Sequence, residues 1–111
     1  MAEKRMIKRH RKRLQIKFGV DTPTRIAFTE DFSDGGVFIK TTFIHPPNTI
    51  LKVELLTPTG EPVEAEATVR WAKRVPPNLL RTIKGGMGLR FLRFIAGEEA
   101  YRLLCQAHND V

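Results

Sequence analysis

Cysteine is almost absent from this sequence. Cys105 is the single one, so neither an intramolecular disulfide nor a multi-cysteine metal site is available. Its place in a late helical pattern marks it as a buried thiol rather than a reactive one. Long hydrophobic runs are missing as well: no stretch approaches the ~18 apolar residues of a membrane-spanning helix. The charged start, Met1 to Arg5, is not followed by an apolar segment, so no secretory signal is expected and the cytoplasm is the expected compartment. The three histidines, His10, His45 and His108, are too scattered to form a ligand set, and no metal or cofactor is expected. Gly85-Gly86-Met87-Gly88 leads into a strand pattern rather than a helix, which argues against a dinucleotide loop. Glu64 and Glu66 share a strand face as solvated charges, so no acid/base pair is assigned and no enzymatic activity is expected.

What is present is an ordinary globular composition, 41% hydrophobic and 28% charged over 111 residues, the size of one domain. The formal charge of +7 is concentrated. Residues 1–17 carry eight basic side chains against one acid, Glu3, and the remaining chain has 11 basic and 11 acidic residues. A short cationic segment on a neutral body suits capture of a small anion, an RNA or phosphate backbone, or a membrane surface, and equally suits a solvated tail. Residues 1–12 read as a flexible basic arm and residues 13–108 as the folded body.

That body is written in period two. Leu14, Ile16, Phe18 and Val20 alternate with polar residues, and Asp21-Thr22-Pro23 turns the chain. Thr24 to Phe32 favours a strand, and Asp34-Gly35-Gly36 reverses it before Val37 to Thr41. Leu51, Val53 and Leu55 form one arm of a hairpin closed by Pro58-Thr59-Gly60. Val63, Ala65, Ala67, Val69 and Trp71 form the other. Met87, Leu89 and Phe91 share a face of the last strand. Phe18, Trp71 and Phe91 thereby read as core. Short strands at regular spacing with turns between them predict a closed or nearly closed antiparallel barrel. The period then changes: Ala100, Leu103, Leu104 and Ala107 predict a short C-terminal helix, in which Glu98 pairs with Arg102 one turn on.

Two motifs stand out. Arg9-His10-Arg11-Lys12-Arg13 gives Arg-x-x-x-Arg at the junction of arm and first strand. Asp31-Phe32-Ser33-Asp34-Gly35-Gly36 gives Asp-x-Ser-x-x-Gly at a strand end. Taken singly each is weak, since basic arms are rich in arginine and an Asp-x-Ser turn can hydrogen-bond its own backbone. Their order and separation, with Val69-Arg70-Trp71 and Gly88-Leu89-Arg90-Phe91 in later strands, resemble the PilZ domain, a bacterial receptor module for the second messenger cyclic di-GMP. The resemblance runs from Lys8 to about Leu104. It implies an all-β fold, a six-stranded antiparallel β-barrel with a short C-terminal α-helix, and cyclic di-GMP held between the arginine segment and the Asp-x-Ser-x-x-Gly turn. The ligand residues so implied are Arg9, Arg13, Asp31, Ser33 and Gly36, with Lys8 and Arg11 as further phosphate contacts.

The chemistry of these side chains fits that ligand. An arginine fork can bridge phosphate oxygens and guanine acceptors and can stack on a purine. An ionised Asp31 accepts from the guanine N1–H and N2–H donors, Ser33 can bond a base or phosphate, and Gly36 could adopt an unusual backbone angle or admit the ligand closely. A mobile arm folded down by phosphate charge would present a new surface to an effector protein. Motility or biofilm regulation, exopolysaccharide synthesis, pilus function and virulence gene control are all compatible with the resemblance. Two alternatives remain at this point: a PilZ-like adaptor that works through protein contacts alone, and a small-barrel RNA-binding module, which would need exposed aromatics on a basic face. Exposed leucines in Leu79 to Ile83 could dock a partner or pack on the barrel. No DNA partner is expected, and a monomer or weak dimer is.

Overall fold

The structure is a computed structural model and describes residues 10–109. Six antiparallel strands, β1 (Gln15–Gly19), β2 (Arg25–Ser33), β3 (Gly36–Lys40), β4 (Ile50–Leu56), β5 (Pro62–Lys73) and β6 (Gly86–Ala96), are followed by one helix, α1 (Glu98–Asn109). They close into a barrel in the order β1-β2-β3-β6-β5-β4, with β1 also paired to β4. Closure leaves no long unpaired edge among the described strands to template association. The expected all-β barrel with a C-terminal helix is therefore what the chain forms.

The inward residues of all six strands make one core. Ile16, Phe18, Leu51, Val53, Leu55, Val63, Ala65, Ala67, Val69, Met87 and Leu89 lie in it, and α1 closes it with Tyr101, Leu104 and Cys105. Tyr101 is fully buried, with its ring against Phe32, Phe91 and Phe94. Arg102 Nη2 donates to Glu98 Oε2 at 2.7 Å, the pairing expected along the helix. Outside the barrel, Glu66 ties three strands, accepting from Lys52 Nζ at 3.1 Å and Arg93 Nε at 3.0 Å. The Arg93 hydrogen bond, then that of Lys52, holds the Glu66 carboxyl below the ordinary carboxylate value.

Several residues depart from simple alternation or helical spacing. Val20 lies past the end of β1 and is half exposed. In α1 the covered face is Tyr101, Leu104 and Cys105, while Leu103 and Ala107, expected on that face, are exposed. Around the 3-10 turn Pro77–Leu79, Leu79 and Ile83 stay exposed, and only Leu80 is half covered. Trp71 departs as well, 40% exposed instead of in the core. A bulge between Val69 and Trp71 inserts Arg70 without a partner. One inserted residue reverses the in/out alternation beyond it, so Ala72 packs inward and the indole turns out.

The described chain meets the barrel at His10. Its amide donates to Phe32 O at 2.7 Å and its carbonyl accepts from Phe32 N at 3.0 Å, laying the segment before β1 along β2. Thr29 secures the same junction: Leu14 N donates to Thr29 Oγ1 at 2.8 Å, and that hydroxyl donates to Lys12 O.

Candidate functional site

The register across β2, β3, β6 and β5 defines one outer face of the barrel. Phe32, Val37, Leu89 and Val69 make a transverse row that points into the core. The rows on either side of it point out. One runs Asp31, Phe38, Gly88, Trp71; the other runs Ser33, Gly36, Arg90, Thr68. Asp31 owes its place to a second bulge, between Thr29 and Asp31, in which Glu30 is the inserted residue. Without it, the alternation of Ala27 and Thr29, both buried, would carry Asp31 into the core. Two bulges in two strands thus bring an aspartate and an indole, which the alternation would hide, onto the same face.

Glycine at position 88 lets the indole lie down. A Cβ there would fall 2.1 Å from Trp71 Nε1, so the ring rests on the β6 backbone. Phe38 beside it is buried on the outer face, with its centroid 4.9 Å from Trp71 and Lys84 Nζ 4.9 Å above the ring. Gly36 answers a similar demand between strands: a Cβ would stand 2.2 Å from the Leu89 carbonyl oxygen. Its backbone φ is not in the left-handed region, so close approach of β3 to β6 is what requires glycine here.

The turn after Ser33 is anchored from below. The Tyr101 hydroxyl donates to Ser33 O and reaches Gly36 O at 3.4 Å, and Phe91 N donates to Gly35 O at 2.9 Å. Asp34 lies against α1, where burial first and then Asp34 push the Cys105 thiol up to about 12. Cys105 is therefore a neutral packing group, as its sequence position suggests. Asp31 and Ser33 are both buried.

Beside this face opens a cleft of about 610 Å³, lined by residues 11–13, 28–30, Lys40, Pro77, Leu80 and Arg81. That size suits a nucleotide-scale ligand. The Arg13 guanidinium stacks on Phe28, 4.0 Å from the ring centroid. Arg11 and Lys40 approach Glu30 at 3.8 Å and 3.5 Å. Of the residues read from sequence, Arg11 and Arg13 are brought together in the cleft. Asp31, Ser33 and Gly36 lie on the adjoining rows, outside its lining. Lys8 and Arg9 lie outside the described residues. The sequence reading missed Trp71, Phe28 and Lys40 as surface groups, and Tyr101 as the anchor of the turn. Phe28 was within reach, because it stands opposite in phase to Ala27 and Thr29.

Among the described residues no group of three or more His, Cys, Asp or Glu side chains is placed to hold a metal ion. No described helix is long and apolar enough to cross a membrane.

Comparisons with known proteins agree with this architecture. A family model described as the PilZ domain matches residues 3–105. Among solved structures, the inhibitor of motility MotI/DgrA from Bacillus subtilis superposes with a TM-score of 0.75 at 18% identity, over 93% of this chain and 50% of that one. The chain thus spans half the length of that relative, and the likeness is one of fold. No curated protein sequence matches the chain.

Proposed function

The chain belongs to the PilZ domain family, and from that premise we propose that it is a receptor for cyclic di-GMP that acts on an effector protein and catalyses no reaction. The observation that carries the reading is the outer row that sets the Asp31 carboxylate and the Trp71 indole on one face, next to the Arg13 cleft. A guanine needs an acceptor for its N1–H and N2–H and a flat surface for its ring. Arg13 serves the phosphates with one edge of its fork while its plane rests on Phe28. Ser33 supplies a hydroxyl, and Gly36 keeps β3 tight against β6 so that the turn holds its position. Arg9, Lys8 and Arg11 complete the cationic side of the ligand site.

The N-terminal segment supplies the signal. Eight basic side chains within residues 1–17 repel one another, and two ligand phosphates offset that repulsion. Binding then settles the segment against β2, continuing the pairing that starts at His10, and the covered face becomes the surface an effector recognises. Amide exchange in residues 4–13 should slow on ligand addition; equal rates with and without ligand would remove this step.

The deciding experiment is calorimetric titration of the protein with cyclic di-GMP at about 150 mM salt, with GTP and a single-stranded RNA as controls. Micromolar or tighter binding of cyclic di-GMP alone supports the receptor. Silence toward all three ligands leaves an adaptor that works through protein contacts. The RNA arm has a specific reason: the exposed indole supplies the aromatic platform that a single-strand binder needs, and RNA binding alone would replace the receptor reading with that one.

A further inference from the structure

The cleft beside Phe28 carries a carboxylate of its own. Arg11, Lys12, Arg13, Lys40 and Arg81 reach its lining, and Glu30 is the one acid among the described lining residues. Glu30 is the inserted residue of the β2 bulge, so its side chain is set by the bulge and not by strand alternation. Its carboxylate stands 3.8 Å from Arg11 Nη2 and 3.5 Å from Lys40 Nζ. Both separations exceed the ~2.7–2.9 Å of a charge-assisted hydrogen bond. Glu30 therefore partly neutralises two cations without being locked to either.

Those cations have capacity to spare. The Arg11 side chain is 78% exposed. Lys40 Nζ spends one donor on Leu80 O at 3.2 Å, which ties it to the loop that forms the far wall. Arg81, exposed on that wall, has no ion pair among the described residues. Loose pairs of this length, between a half-covered Glu30 and cations that are exposed (Arg11) or half-covered (Lys40), contribute little to folding. A fixed negative charge a few ångströms from an incoming phosphate opposes it directly.

We infer that this cleft is a phosphate-binding subsite held by Arg11, Lys40 and Arg81, in which Glu30 is the resident competitor that sets the affinity for the anion. The phosphate takes the place of the Glu30 carboxylate between Arg11 and Lys40, and Glu30 swings to solvent. The identity of the phosphate compound rests on the receptor reading above; the anion chemistry of the cleft does not.

The test compares the wild type with Glu30→Gln, using cyclic di-GMP and inorganic pyrophosphate as separate calorimetric probes. Glu30→Gln removes the charge at nearly constant shape and should tighten both probes roughly tenfold. Arg81→Gln, on an exposed loop where folding is not at stake, should weaken pyrophosphate binding several-fold. Wild-type binding of cyclic di-GMP with no gain in Glu30→Gln for either probe overturns the subsite and leaves the receptor standing. No cyclic di-GMP binding, with tighter pyrophosphate binding in Glu30→Gln, overturns the receptor and leaves the subsite standing. Failure of both proteins to bind either probe overturns both.

Discussion

Arg13 in the cleft and Trp71 on the face beside it do different work, and single substitutions separate them. Arg13 is exposed and rests on Phe28, a contact worth ~0.5–1 kcal/mol at the surface. Arg13→Ala should weaken cyclic di-GMP binding by ~1.5–3 kcal/mol, the scale of a hydrogen bond to a charged group, and lower the melting temperature by no more than about 2–8 °C. Trp71→Ala should weaken binding too, and should also lower stability by about 1–2 kcal/mol, well short of the ~3–5 kcal/mol of a fully buried tryptophan. Calorimetry and urea unfolding on the two variants read both quantities. Cys105 gives a residue-scale pH dependence. Its thiol is pushed up to about 12 from an ordinary 9.0, so the folded state favours the neutral form and the unfolded chain loses the proton first. The stability this group contributes is complete below pH ~9 and falls as pH rises toward ~12. Urea unfolding near pH 8 and near pH 10.5 should show the loss in the wild type and a smaller one in Cys105→Ala.

At the scale of strands, bulges and turns decide what the face presents. The hairpin from β2 to β3 contains two adjacent glycines with opposite requirements. A Cβ at Gly35 would meet nothing within 4 Å, whereas at Gly36 it would stand 2.2 Å from a backbone oxygen of β6. Gly35→Ala should therefore leave folding and binding near wild type. Gly36→Ala should force β3 from β6 and cost roughly 1–3 kcal/mol, the range of overpacking with backbone displacement. Thermal unfolding distinguishes them. A loss of ligand affinity in Gly36→Ala would then follow from the displaced turn, and equal stability of the two variants would contradict the role assigned to the β3–β6 approach. The helix belongs to the same unit: through Tyr101 it holds the carbonyls of Ser33 and Gly36 from inside the barrel.

For the molecule as a whole, charge is segregated more sharply than its near-neutral body suggests. Besides the basic start, residues 67–97 contain seven basic side chains and no acid. These residues run through the Trp71 end of β5, the Lys84 loop and β6, the far side of the proposed site. The ligand is therefore expected to meet positive potential from two directions, and its binding should depend on salt. Raising salt from about 0.1 M to 1 M shortens the screening length from ~10 Å to ~3 Å. Affinity for cyclic di-GMP should fall tenfold or more over that range, while the barrel, held by its apolar core, should melt at nearly the same temperature. Salt-independent binding would point to contacts dominated by the bases.

The barrel and its terminal helix were legible in the sequence because a half-buried strand must alternate and a covered helix must repeat at 3.6 residues. The lone buried cysteine, the Glu98–Arg102 pair and the family were legible for similar reasons: local spacing and short motifs carry them. Alternation misleads where the structure inserts a residue. Nothing within Thr24 to Ser33 or Val63 to Lys73 marks Glu30 or Arg70 as unpaired, because a bulge is a relation between two strands. Only closure of the barrel decided that Asp31 and Trp71 face outward in one row, that Gly36 serves an interstrand approach, and that Tyr101 reaches back across 68 residues to the Ser33 carbonyl. Period and composition are properties of a segment, so the sequence by itself determined the elements. The face they share is set by register between distant segments, and only the tertiary structure decided it.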